Sequence, residues 1–335
     1  MSYKERPSEE FITLLRRSGD NDQNVAFAAQ REFAQALELP LRKGVLVGNI
    51  LGNIFETIQV EPGGSTEYPL DLISPGLEGE HVAYTNPGHG RVPERSVEGD
   101  YVMIPTYSIT SSIDYLLRFA REARWDIVGR AMQVLEAGFV KKMNDDGWHT
   151  LLAAGVDRNI LVYDGDATAG MFSKRLVSLM QTVMRRNAGG NTGSGDRGRL
   201  TDLYVSPEAL EDVRNWGFDQ ISDAVRTQIY NAGGDGAPIT NIFGVNLRDL
   251  DELGEGQEYQ AFFEDGLGGS VQSSDSELVI GLDQGANDSF VMPMKQQVSI
   301  HEDPTLHRQQ RVGWYGFAEL GFGVLDNRRI ILGSF

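Results

Sequence analysis

The longest amphipathic pattern in the chain covers residues 112–144. One apolar row is Ile113, Leu116, Ala120, Ala123, Ile127, Ala131 and Val134, and a second beside it is Leu117, Val128, Met132, Leu135, Phe139 and Met143. Steps of three and four residues put both rows on one broad face of an α-helix. Ser111 or Ser112 supplies a cap, Asp114 falls in the first turn where the helix dipole favours an anion, and Lys141 and Lys142 complement the far end. Gly147 offers a left-handed stop. No proline interrupts the stretch, and Gly129 and Gly138 each cost about 1 kcal/mol against alanine. At about 1.5 Å per residue this helix is roughly 50 Å long, well beyond the usual three turns.

Around it the pattern is shorter-ranged. Ser8 caps a predicted helix through Arg17, and Asn24 caps a second to about Glu38, stopped by Pro40. Two such helices make a poor core of their own and suit lying across another surface. Residues 53–60 have strand composition. Residues 61–100 are marked by Gly63-Gly64, Pro75-Gly76 and Pro87-Gly88 and contain no helix signal, an excursion uncommon in a compact domain unless functional. A strand over 101–110, made edge-like by Pro105, leads into the long helix. Next come a helix over 171–187, a flexible glycine loop over 188–198 and a short strand over 203–205. Ser206-Pro207-Glu208 then opens a helix, followed by a helix over 222–230 and a strand over 239–247. From Glu277 the pattern is β: strands over 277–282, 289–294, 298–301, 309–325 and 329–332.

With 335 residues the chain can bury a sizeable core. It has no apolar run of the roughly 20 residues a membrane span needs, so no membrane association is expected. Its N-terminus lacks the apolar core of a signal peptide. Cysteine is absent, which removes disulfides and thiolate chemistry and suits a reducing compartment. The net charge of −18 opposes tight nucleic-acid binding, yet it allows DNA to be enclosed without being gripped.

Each candidate pattern for catalysis or ligand binding sits in the wrong context for that chemistry. Gly193, Gly195 and Gly198 match the spacing of a dinucleotide loop but follow a helix and precede a strand, the reverse of its context. None of His81, His89, His149, His301 and His307 forms the paired-histidine helix motif of zinc hydrolases. The densest ligand cluster, His301-Glu302-Asp303 with His307, flanks Pro304 in a turn, where a solvated turn explains the same residues. Asp249, Asp251 and Glu252 are most simply a solvated face. No catalytic residue, metal or cofactor is therefore expected. Arg118, Arg121 and Arg124 recur every three residues: the plainer reading is a wet helix face partly paired to Glu122, the sharper one a basic strip on an otherwise acidic chain.

In the order of its parts the chain resembles the major capsid proteins of tailed bacteriophages, the Hong Kong 97-type α+β fold. The resemblance is carried by the arm, the long loop and the long helix in that order. It is supported by residues 203–216 (Leu-Tyr-Val-Ser-Pro-Glu-Ala-Leu-Glu-Asp-Val-Arg-Asn-Trp), 277–283 with 290–293, and 311–322 (Arg-Val-Gly-Trp-Tyr-Gly-Phe-Ala-Glu-Leu-Gly-Phe). It implies an N-terminal arm over 1–50 and an extended β-hairpin loop with flanking strands over 51–110. A spine helix of a peripheral domain over 111–149 follows, then an α/β axial domain over 150–304 and C-terminal strands over 305–335 returning to the peripheral domain.

The resemblance also implies a function. Subunits would form hexamers and pentamers tiling an icosahedral head around packaged double-stranded DNA, assembled in the host cytoplasm and carried in the virion. Separate scaffolding, portal and decoration proteins are its implied partners. Residues 61–110 contain no lysine, so covalent crosslinking through that loop is not expected. An encapsulin-like compartment is the alternative within the fold, and a cytosolic α/β enzyme using the His301/His307 region the alternative outside it.

Overall fold

The computed structural model of the chain describes residues 8–48, 50–61, 63–69, 101–168, 170–187, 198–216, 240–261, 276–285 and 289–335. Most of the predicted extended loop (70–100), the glycine loop, the predicted helix over 222–230, and His81 and His89 lie outside them. In chain order the elements begin with α1 (Glu9–Ser18), α2 (Gln23–Gly48), β1 (Glu56–Gln59), β2 (Glu67–Pro69), β3 (Tyr101–Met103) and β4 (Tyr107–Leu116). They continue with α3 (Leu117–Arg121), α4 (Trp125–Asp157), β5 (Leu161–Tyr163), α5 (Lys174–Asn187), β6 (Asp202–Val205), α6 (Pro207–Asn215), β7 (Thr240–Ile242) and β8 (Val245–Asp249). The last are β9 (Leu278–Leu282), β10 (Phe290–Glu302), β11 (Arg311–Leu320), β12 (Gly323–Val324) and β13 (Ile330–Ser334).

Two compact units result. The first comprises Met1–Glu67, Met103–Trp148 and Val291–Gly323, the second Tyr68–Val102, His149–Phe290 and Val324–Phe335. In the first, a sheet runs in the order β1-β10-β11-β4, with β12 paired to β10. β4 and β11 are antiparallel over their whole length, from Tyr107 opposite Leu320 to Leu116 opposite Arg311. The two strands expected over 289–301 are one strand, β10, whose register shifts between Met294 and Ser299 where the break was anticipated.

The N-terminal helices pack into this unit and bury their apolar faces there. Ser8 caps α1 as expected, accepting a hydrogen bond from the Phe11 N–H. α2 continues straight through Pro40. A proline inside a helix costs about 3 kcal/mol or more. Phe33, Leu37, Leu41 and Val45, four residues apart on either side of it, are nearly fully buried and offset that cost. Phe33 lies 5.4 Å from Trp314 and 6.4 Å from Trp125, and Phe11 lies 5.5 Å from Phe33, edge-on.

The long helix is present but displaced. Residues 107–116 form β4, and α4 begins only at Trp125. Tyr107, Ile109, Ser111, Ile113 and Tyr115 alternate with polar residues, and Ile109 and Tyr115 are buried, so the period is two. Ala123, with φ of 50°, turns the chain between α3 and α4. At the other end α4 passes through Gly147, where a side chain would strike buried Leu51, and stops at Asn159 with φ of 51°. The row from Leu117 to Met143 is the buried one, and it extends through Trp148, Leu151 and Leu152; in the other row Val134 is exposed.

In the second unit a six-stranded mixed sheet runs β5-β13-β9-β6-β8-β7. β13 lies at its interior, parallel to β5 and antiparallel to β9. The C-terminal strands therefore do not all return to the sheet of β4: β11 does and β13 does not. The uninterrupted apolar run Ile330-Ile331-Leu332 is what a strand buried on both faces requires. α5 packs Leu176, Val177 and Met180 into the core with Leu203, Val279 and Ile331. Ser206 caps α6, accepting from the Ala209 N–H at 3.2 Å, with Pro207 at the first helical position.

Candidate functional site

The residues singled out for chemistry do not converge. Asp303 accepts from the Thr305 N–H and hydroxyl and caps the turn at Pro304. His301 stacks on Phe317 at 5.3 Å, while His307 meets Phe27 edge-on at 5.5 Å. His149 sits beside Tyr259. Asp249, Asp251 and Glu252 are exposed. Among the described residues no group of three or more His, Cys, Asp or Glu is placed to hold a metal ion. No described helix is long and apolar enough to cross a membrane.

The three arginines do not share one helix face, because α3 ends at Arg121 and the chain turns at Ala123 before Arg124. The Arg118 guanidinium lies over the Phe119 ring, 4.8 Å from its centroid. Arg121 donates to the Gly19 carbonyl at 2.6 Å and to Asn21, tying the end of α1 to α3. Arg124 pairs with Glu122 at 3.1 Å, the partial pairing anticipated.

What the structure does assemble is a set of surfaces. β2 and β3 form a two-stranded ribbon, so the chain leaves and re-enters residues 70–100 through paired stems. Below the ribbon, the Ile104 N–H bonds the Thr66 carbonyl at 3.1 Å, and the Ile104 side chain is buried against Gly323. Tyr107 then donates its hydroxyl to Asp146 on α4 at 2.9 Å, and Lys142 donates to the other oxygen of Asp146 at 2.7 Å. Burial, and then the hydrogen bond and charge of Asp146, push the Tyr107 phenol far above its ordinary range and keep it a donor. Tyr101 and Met103 on the ribbon are exposed at 65% and 69%, large apolar groups facing water where the ribbon starts. The sequence pattern contained these residues but attached Tyr107 to no partner, because Asp146 is far from it in the chain.

No family model matches the chain, and no curated protein matches it in sequence. Solved structures do match in fold. The structure of Microbacterium phage Oxtober96 has a TM-score of 0.57 at 10% identity, covering 86% of this chain and 90% of that one. The capsid of an empty GTA particle has a TM-score of 0.52 at 12% identity, covering 86% and 90%. The capsid of Ralstonia phage GP4 has a TM-score of 0.52 at 13% identity, covering 84% and 86%. The chain therefore has the α+β fold of the Hong Kong 97-type phage capsid proteins.

Proposed function

We propose that the chain is a major capsid protein, whose copies assemble into the hexamers and pentamers of an icosahedral phage head enclosing double-stranded DNA. The observation that carries this is the fold, matched over most of the length of two structures described as capsids. The ribbon with its exposed apolar stem supports it, because exposed aromatic and methionine side chains are costly on an isolated subunit and useful where subunits meet. The net charge of −18 suits a wall that surrounds DNA without binding it tightly. Scaffolding, portal and decoration proteins are the partners such a head would use.

Negative-stain microscopy of the purified protein, with light scattering across a concentration series, tests the reading. Closed shells or capsomer rings of uniform size are the expected result. A monodisperse monomer at every concentration and salt, with or without co-expressed neighbouring genes, would overturn it.

A further inference from the structure

We propose that Phe243, at the tip of the β7–β8 hairpin, is an anchor that docks into a second copy of this chain during assembly. The inference rests on the capsid reading above and adds a specific contact to it. Ile242 pairs with Val245, so the hairpin loop is only Phe243 and Gly244. Their φ angles are 52° and 82°, both positive, which is the signature of a type I′ turn. That turn is suited to Asn-Gly or Asp-Gly. A bulky aromatic in its first central position is an outlier, because the Cβ crowds the backbone there.

The strained conformation is nonetheless held firmly. Asn241 Oδ1 accepts from the Gly244 N–H at 3.0 Å, and Gln181 Nε2 donates to the Phe243 carbonyl at 3.1 Å. Ile242 and Val245, on either side, are 8% and 0% exposed and fix the hairpin in the core of its unit. The Phe243 ring gains no such burial, for the residue is 61% exposed. Within its own subunit Phe243 thus carries backbone strain without the packing that usually offsets it. Strain maintained by well-made surroundings points to a role beyond the subunit's own stability.

Charge argues that the role is contact with another copy. Each copy carries a net −18, and copies repel one another wherever their charged surfaces approach. Residues 240–247 contain no charged side chain at all, so this tip is a place where two such copies meet at little electrostatic cost. Among the described strands β7 is the terminal one of its sheet, so the hairpin lies on that rim. A projecting aromatic that fills a pocket on a different surface of the neighbour makes a head-to-tail contact, the kind that closes into rings.

The test uses F243N and F243Y in the full chain, measuring the thermal midpoint of the subunit and the concentration at which particles form. F243N gives the turn a residue it prefers, so the expected midpoint is equal to or higher than that of the native subunit. Its assembly should need a concentration higher by roughly 10-fold or more, the effect of truncating a buried aromatic anchor. F243Y keeps the ring and should assemble as the native chain does. If F243N forms particles at the native concentration, the proposal fails while the capsid reading stands. If F243N lowers the midpoint, Phe243 serves its own subunit and the proposal fails as well. If the native chain forms no particles at all, it is the capsid reading that fails.

Discussion

Asp326 and Arg328 sit two residues apart before β13, with side chains only 13% and 9% exposed. Burial works against the Asp326 charge. Two hydrogen bonds from the Arg328 guanidinium, at 2.8 and 2.9 Å, its charge, and one from the Arg328 backbone N–H outweigh burial. The carboxyl is therefore held below its ordinary value of 3.8. A carboxyl with a depressed pKa binds its proton more weakly folded than unfolded. Its stabilisation is present above the ordinary value and is lost as pH falls through the folded one. Asp326→Asn should lower stability by about 3 kcal/mol at neutral pH, since it removes the carboxylate charge that faces the buried Arg328 guanidinium. Thermal melts across pH should show that penalty shrinking as the medium is acidified below 3.8. A penalty that stays constant into acid would assign the effect to packing instead of charge.

α4 contains a comparison within one helix. A Cβ at Gly138 would meet only the Ser111 hydroxyl, at 3.5 Å, an ordinary contact. Gly138→Ala should therefore stabilise by up to about 1 kcal/mol, the helix-propensity difference. A Cβ at Gly147 would strike the side chain of Leu51, which is fully buried, and would come within 3.2 Å of Phe322. Overpacking costs about 1–3 kcal/mol and exceeds the same propensity gain, so Gly147→Ala should be destabilising. Urea midpoints that shift in opposite directions would bear this out, and a shift of the same sign in both variants would show the Leu51 contact to be unimportant. The pair also shows what was legible at this scale. The buried row from Leu117 to Met143 and the caps at Ser8 and Ser206 follow from local pattern. The start of the helix does not, because residues 113–116 fit both a helical row and the period of two that begins at Tyr107, and only pairing with β11 decides between them. Pro40 misled for the same reason: tertiary burial of Phe33, Leu37, Leu41 and Val45 outweighs a local breaker.

For the molecule as a whole, the order of parts was legible, while the partition of its last segment was not. β11 and β13 are close in sequence and enter different sheets, a choice made by strand partners and not by composition. The exposed tip at Phe243 was equally hidden, since its signal is a backbone angle. The stems β2 and β3 give the long excursion a physical frame: they are paired to each other, and Ile104 is buried just beyond them. The base of the excursion is thus secured before residues 70–100 begin. Those residues are rich in glycine and proline and contain few large apolar side chains, so they offer one subunit little to pack. Shortening a loop also changes closure entropy slowly, by about 0.6 kcal/mol for each halving. Replacing residues 76–99 with a short Gly-Ser turn should therefore leave the subunit's circular dichroism and melting temperature nearly unchanged. If the excursion reaches over a neighbour, as the resemblance to capsid proteins implies, sedimentation of the same variant should show shells lost or falling apart. A sharp drop in melting temperature would instead place the excursion in the subunit's own core, and intact shells from the shortened chain would remove it from the subunit contacts altogether.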